Sequence, residues 1–473
     1  PTRLAVGLVN FAFFAIAEVV IFSSLLARRG LVTALLGLGF FLLCLTHYYH
    51  SGGMFDVRLD YGGMTLMGAT FIGALTWLET GASIALIGAV LALLLSVGTR
   101  SILGVYWVGA LAVCLACCLV PITFHVPARK RYLQIAKRSL VLLIAAIAIF
   151  AIYVGMFWTQ FHNYYINCKA DGEDLMRLRE NNVKTLVDRL SYYPRSFLDH
   201  FIVPIGVALV SALSTLGIKM ACTNGAKPTT GLEGDDWPGS RVPLLLLFAA
   251  VVLTVYVCAT YYVPTPVVIG VLAIPISITA AILIGSINMP RSANRWMVTG
   301  ASIVLVAGIG RYVKEFTRPT FIAQPNRLLC DAVNSTMSAV SERVVKNGGK
   351  RTTIFWCLVH DGINQEYFKI YFAEHYHRLW PESMVQDLVH AYPKATLSSL
   401  REKIDTADVV VIPTELPQRT GGQFEYDGSE SVRQYLPQLL PILNRDFRPV
   451  LKTYFFQTPS SMPGALVVFE RIK

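Results

Sequence analysis

The sequence predicts an α-helical polytopic membrane protein of about ten transmembrane helices, followed by a C-terminal α/β domain outside the membrane. Three observations carry this reading. Hydrophobic residues make up 54% of the 473-residue chain and charged residues only 15%, where a soluble globular protein carries about a quarter. Mean hydropathy is +0.52. Apolar runs of membrane-crossing length recur through roughly the first three hundred residues and then stop, giving way to short runs of β-formers between helical patterns.

Ten candidate spans lie near 5–27, 31–47, 62–79, 82–98, 102–123, 139–159, 200–221, 242–262, 265–287 and 297–313. Three of them, 31–47, 82–98 and 297–313, are short against the roughly twenty residues that cross a bilayer core. The stretch 5–27 is too long for the core of a signal peptide and lacks a small-x-small cleavage site, so it reads as a span. The chain opens at Pro1, which fits a start that is processed or preceded by further chain.

Basic residues set the orientation. The connector HVPARKRYLQIAKRS after the fifth span holds Arg129, Lys130, Arg131, Lys137 and Arg138 and reads as cytoplasmic. Alternation then puts Arg28-Arg29, Lys227 with Arg241, and Arg291 with Arg295 on the same side, whereas the opposite short loops carry only Arg58 and Arg100. The net charge of +11 is therefore largely an orientation signal. There is no RNA-binding motif and no long basic run, so the charge does not indicate a nucleic-acid partner. Three polar pieces fall outside together: the loop 48–61, the segment 161–200 and everything beyond about 315. An even number of spans puts Pro1 outside as well.

The chain divides into a transmembrane domain, 1–317, and a tail domain, 318–473. In the tail, 329–347 is helix-like and ends at Gly348-Gly349. The runs at 352–359, 407–413, 450–458 and 465–472 read as strands, and 364–376, 395–404 and 429–444 as helices, giving a partly parallel sheet. The loop 223–241 is rich in Gly, Pro and Thr.

The segment 161–200 is the long polar interruption of the apolar helices. Leu175, Leu178, Leu186, Val187 and Leu190 recur at helical spacing opposite Arg177, Arg179, Glu180, Lys184, Asp188 and Arg189. That pattern fits a helix near 172–190 lying in the membrane interface, and it equally fits a solvated helical connector. Arg177, Arg179, Lys184, Arg189 and Arg195 are the candidates for holding a phosphate, because guanidinium groups at headgroup depth pair bidentately with phosphate oxygens; ordinary anionic lipid would satisfy them too.

The loop HYYHSGGMFDVRLDYGG sets Asp56 and Asp60 four residues apart beside Arg58, with His47 and His50 at the membrane exit. Carboxylates there serve either as ligands of a divalent metal ion or as the general base on an acceptor hydroxyl. The bland alternative is a hydrated loop. Asp171, Glu173 and Asp174 form a second acidic cluster on the same side, of which at least Glu173 and Asp174 suit the first turn of a following helix. Glu18, midway along the first span, is a costly intramembrane charge, either functional or a structural hydrogen-bonding group. Cys114-x-x-Cys117 lies inside an apolar span and reads as packing. In the tail, His375-x-His377 has no nearby Cys or His to complete a zinc site, and Cys330 and Cys357 are candidates for a disulfide. No G-x-S-x-G elbow, Walker loop or sulfatase-like acidic cluster is present.

Asp56 and Asp60 in an early external loop, the amphipathic stretch around Leu175–Leu190 and the terminal Thr352–Lys473 domain together resemble the polytopic GT-C glycosyltransferases, the general type to which bacterial O-antigen glucosyltransferases belong. The resemblance is architectural and covers most of the chain. It implies a bacterial inner-membrane enzyme with a periplasmic tail, taking a sugar from a polyprenyl-phosphate donor to an envelope glycan or other acceptor. In that family an early-loop acid is the usual base, which falls on Asp60 or Asp56, with Arg58 and the basic residues of 172–195 toward substrate. Two features depart from the pattern: the acidic loop follows the second span rather than the first, and the two acids are not adjacent. The other reading is a non-catalytic membrane subunit that scaffolds an envelope complex with membrane-protein partners. A transporter ranks third, since charges within the spans are scarce.

Overall fold

In a computed structural model the chain falls into two compact units, one built from Arg3–Phe161 and Arg177–Arg318 and the other chiefly from Pro319–Lys473. The structure describes residues 2–45, 60–99, 102–123, 129–158, 162, 185–223, 241–260, 266–287, 289, 291–317, 327–346, 352–357, 368, 371–372, 375–376, 385–387, 396–415, 428–455 and 464–472.

The first unit is helical. Its described residues form α1 (Thr2–Arg29), α2 (Leu31–Leu45), α3 (Asp60–Thr80), α4 (Ser83–Thr99), α5 (Ile102–Thr123), α6 (Arg129–Met156), α7 (Leu186–Thr223), α8 (Arg241–Thr260), α9 (Pro266–Gly285) and α10 (Arg291–Thr317). Stretches within α1, α5, α6, α7 and α10 are long and apolar enough to cross a membrane; the apolar stretches of α2, α4, α8 and α9 are shorter. Exposed on these helices are apolar side chains such as Val19, Ile144, Ile152, Leu209 and Val306. So much outward-facing apolar surface suits a lipid solvent.

The shortest of the ten helices, α2, is largely enclosed. From Phe40 to Leu45 every side chain is buried. It packs against α9 and α10, and Leu36, Phe40 and Leu43 form a core with Ala281, Ile284, Met297 and Ala301. The approach to α10 is close because glycines face each other. A Cβ at Gly308 would lie 2.8 Å from the Gly39 carbonyl oxygen, and one at Gly39 would lie 3.1 Å from the Leu305 backbone. Apolar helices gain little by burial against one another in lipid, so this backbone-to-backbone packing supplies the attraction.

One end of the bundle is tied by charge. Gly30 and Gly81, with φ of 84° and 71°, close α1 and α3 in the left-handed conformation that glycine adopts without strain. Just before Gly81, the Glu79 carboxylate takes Arg29 on one oxygen at 2.5 Å and Arg28 on the other at 2.6 Å. Arg138 donates to the Leu78 and Glu79 carbonyls at 2.8 and 2.9 Å, and Trp77 Nε1 returns a bond of 2.9 Å to the Arg138 carbonyl. Any Cβ at Gly81 would fall within 2.8 Å of the Arg138 guanidinium. The α1–α2 turn, the α3–α4 turn and the start of α6 therefore meet.

Two boundaries differ from the sequence reading. The connector expected over 124–138 is helical from Arg129, where α6 begins, because Lys, Arg, Leu and Gln favour continuing the span as helix. The helix expected over 172–190 does not run unbroken to its end. Asp188 Oδ2 accepts from Thr185 N at 2.8 Å and Thr185 Oγ1 from Asp188 N at 3.1 Å, a reciprocal cap that starts α7 at Leu186. From there α7 runs through Arg195 into the apolar stretch, with non-helical φ/ψ of −113° and 15° at Phe201. Pro204 causes this, since it has no N–H for the His200 carbonyl one turn back. Residues 163–184 lie outside the described residues.

The second unit is a five-stranded sheet in the order β2-β1-β3-β5-β4, formed by β1 (Ile354–Trp356), β2 (Val385–Asp387), β3 (Val409–Glu415), β4 (Phe447–Phe455) and β5 (Gly464–Arg471). β1 pairs in parallel with β2 and β3, and β5 runs antiparallel between β3 and β4. The two-residue period of the strands divides the core. Ile354, Trp356, Val409, Val411, Leu466 and Val468 face α11 (Arg327–Lys346), while Phe355, Val410, Ile412 and Phe469 face α12 (Leu397–Thr406) and α13 (Gly428–Asp446). Arg471 closes α12 by donating to the Ile404, Asp405 and Ala407 carbonyls at 2.7–2.8 Å, its guanidinium 4.6 Å from the Phe447 ring centroid.

The Gly39–Gly308 approach is directly testable. Gly308→Leu forces a side chain against backbone that has no rotamer to yield, and is expected to cost about 1–3 kcal/mol. Gly310→Leu, where a Cβ meets nothing within 4 Å, is the control. Unfolding in detergent should separate the two variants by several degrees; equal stability would show that α2 and α10 do not touch as described.

Candidate functional site

The other end of α3 gathers polar groups. Asp60 is its first residue, where the positive end of the helix dipole favours a carboxylate. Tyr61 follows, 2% exposed. Gly62 then lets α1 approach, since a Cβ there would lie 2.5 Å from Asn10 Oδ1 and 2.8 Å from the Phe13 ring. Thr65 Oγ1 donates to the Gly62 carbonyl at 2.7 Å, back-bonding within the first turn.

Tyr61 faces two other helices. Its hydroxyl is hydrogen-bonded to that of Tyr312 on α10. The Phe14 ring on α1 stacks on Tyr312 with centroids 4.9 Å apart and planes 3° from parallel, and tilts against Tyr61 at 6.4 Å. Asn10, Phe14 and Glu18 succeed one another at four-residue spacing, so they share one side of α1. Asn10 and Phe14 are buried, Glu18 is half-buried, and Glu18 lies close enough to Tyr61 to act on it electrostatically. Beside Tyr312, Arg311 is half-buried; its Nε is inaccessible to solvent and meets no acceptor among the described residues. An acid and a guanidinium within apolar helices are expensive, and such groups mark a ligand or proton path more often than packing. Together the Tyr61, Tyr312, Phe14 and Glu18 side chains can hold a polar group beside apolar chains: two hydroxyls as donor and acceptor, a carboxyl group, and aromatic faces for a ring.

The sequence-derived residues fare unequally. Asp60 stands at the start of α3, though its side chain lies outside the described residues, as do Asp56 and Arg58 entirely. Arg177, Arg179 and Lys184 lie outside them too. Arg189 falls within α7 without a described side chain, and Arg195 is exposed on the same helix, not brought into the Tyr61 cluster among the described residues. Glu18 does join that cluster. Tyr61, Tyr312, Phe14, Asn10 and Arg311 were missed. For Arg311 a signal existed, an arginine within the last apolar span, but the aromatic partners meet across 251 residues of sequence and leave no local trace.

Elsewhere, Cys114 packs with its thiol 3.6 Å from Ser139 Oγ on α6. In the sheet unit the His375 ring stacks on Tyr371, centroids 3.9 Å apart, and bonds through Nδ1 to the Tyr371 carbonyl; His377 lies outside the described residues. Phe372 stacks on Tyr376 at 4.9 Å, and burial pushes the Tyr376 hydroxyl above its ordinary range, helped by Tyr371 and Glu342. Cys357 is buried, its backbone N–H donating to the Val411 carbonyl of β3 at 2.7 Å, whereas the Cys330 side chain lies outside the described residues.

Neither a scan against protein-family models nor a search of curated proteins returns a match to this chain.

The hydroxyl pair makes a quantitative prediction. Tyr61→Phe and Tyr312→Phe each leave the other hydroxyl without this bond, at about 0.5–1.5 kcal/mol of stability. The double variant should cost less than the sum of the two, because both halves of one bond are removed. Additive losses in detergent unfolding would mean that the hydroxyls do not pair.

Proposed function

We propose that the chain is a polytopic membrane glycosyltransferase that moves a sugar from a polyprenyl-phosphate donor to an envelope glycan or another acceptor. In this reading α1–α10 all cross the membrane. The end bearing Arg28, Arg29 and Arg138 is cytoplasmic, and Asp60 opens on the external side, where the tail unit also lies. One observation carries the reading. The helix that begins at Asp60 carries Tyr61 as its next residue, and Tyr61 meets Tyr312, Phe14 and Glu18, so an acidic residue is adjacent in sequence to a polar, aromatic cluster set among apolar helices. The shared end of α1, α3 and α6 also supports the orientation, since alternation of spans requires those three ends to lie on one side.

The chemistry follows from the roles. Asp60 takes the proton of the acceptor hydroxyl as the new bond to the sugar's anomeric carbon forms. The bond from that carbon to the lipid phosphate breaks, and the phosphate leaves with the electron pair. Asp56 orients the acceptor, or shares a divalent metal ion with Asp60. Arg58 and the basic residues Arg177, Arg179, Lys184, Arg189 and Arg195 neutralise the phosphate, and the sheet unit binds the acceptor glycan.

Loss of a general base costs about 10²–10⁴-fold in rate. Asp60→Asn should therefore abolish most transfer from a polyprenyl-phosphate sugar by the purified protein while leaving thermal stability nearly unchanged, and Asp56→Asn should do less. Full activity in both variants would remove the loop from the mechanism. An unaltered protein that transfers no sugar from any such donor would favour the scaffolding role. For orientation, a Cys placed near Arg131 should resist an impermeant reagent in intact cells while one in the tail unit reacts; labelling near Arg131 would reverse the layout.

A further inference from the structure

The charged end of the bundle holds more positive charge than it can use. Two guanidiniums, from Arg28 and Arg29, meet the single Glu79 carboxylate, and a third, from Arg138, sits on the backbone carbonyls beside it, leaving a local charge of +2. Glu79 is 7% exposed, and Arg28 and Arg29 are only 27% and 18% exposed. Arg138 is satisfied by helix-end carbonyls. Arg28 and Arg29 each reach Glu79 through one terminal nitrogen, so most of their five N–H donors have no acceptor among the described residues. Half-buried guanidiniums in excess over carboxylate call for an anion with several oxygens.

The surroundings say which kind. Large apolar side chains stand exposed on the adjoining helix ends: Leu26 on α1, Leu31 at the start of α2, Ile84 at the start of α4 and Leu133 on α6. Water alone would not favour such a border around a charge cluster, whereas a phosphate carrying acyl chains matches both parts at once. From this juxtaposition we infer that the Arg28–Arg29–Glu79–Arg138 cluster is a specific site for an anionic phospholipid. The phosphodiester is held by Arg28 and Arg29, and the acyl chains lie along α1 and α4. Glu79 sets the strength of the site by holding the two arginines side by side and cancelling part of their charge. This site lies at the opposite end of α3 from Asp60 and does not depend on the transferase reading.

The test is lipid binding to the whole purified protein, read by native mass spectrometry and by thermal stability in mixed micelles. Phosphatidylglycerol should bind and stabilise, and phosphatidylcholine, with the same phosphate but no net charge, should do so far less. One cation near a lipid surface is worth about 1 kcal/mol, so Arg28→Gln should weaken phosphatidylglycerol roughly fivefold. Glu79→Gln, which frees both guanidiniums, should tighten it. Should either variant fail to fold, the comparison of the two head groups on the unaltered protein still decides. Equal binding of both lipids, or of phosphatidylglycerol to all variants, would overturn the proposal. Stabilisation by inorganic phosphate equal to that by phosphatidylglycerol would overturn the lipid assignment in favour of a free anion.

Discussion

Glu79 sits where three helix ends converge, and the arrangement of the bundle depends on how its charge is met. A carboxylate that deep is tolerable only with partners on both oxygens, and it finds them in Arg28 and Arg29, at the end of the preceding helical hairpin. Arg138 completes the junction from the far side by taking up the carbonyls that the last turn of α3 leaves over. Gly81 leaves room for that guanidinium. The consequence reaches the opposite end. With α1 and α3 pinned at Arg29 and Glu79, their other portions are brought side by side, and Phe14 and Glu18 meet Tyr61 about four turns away.

Within the bundle two kinds of contact divide the task. Apolar packing in lipid discriminates weakly among partners, so position is fixed by close backbone approach and by a few polar ties. Gly39 and Gly308 provide the first between α2 and α10. Glu79 with its arginines, and Tyr61 with Tyr312, provide the second at the two ends of α3. A polar group used only as a tie would be fully met by its partners. Glu79 is ion-paired on both carboxylate oxygens, and the half-buried Arg311 has an inaccessible Nε that meets no acceptor among the described residues.

The helices were legible in the sequence because each apolar run is bounded by charges or glycine, and Gly30 and Gly81 fall where the runs at 31–47 and 82–98 begin. In the tail, the runs at 407–413, 450–458 and 465–472 overlap β3, β4 and β5, where alternating burial leaves a pattern of period two. The three-residue β2 was illegible, being too short to carry a period. One boundary was set by a local bond rather than by hydropathy: the reciprocal Thr185–Asp188 cap starts α7 at Leu186, before the apolar stretch begins. Of the site, Asp60 and Glu18 could be named from charge and position alone. Tyr61 with Tyr312 could not, since two tyrosines at helix ends look like ordinary interface anchors until the fold brings them together. Glu79 is the last residue of the run 62–79, and only the fold, by bringing Arg28 and Arg29 to it, makes it a junction.

In the proposed glycosyltransferase, the donor binds near α1, α3 and α10 at the end where Asp60 stands. The most direct measurement is photo-crosslinking of the purified protein with a polyprenyl-phosphate sugar that carries a photoreactive group near the phosphate. The expected result is label on peptides containing Phe14, Tyr61 or Tyr312, or on those carrying Arg58 or the basic residues of 177–195, displaced by unmodified donor. Displaceable label around Glu79 and Arg138, or none that unmodified donor displaces, would contradict it.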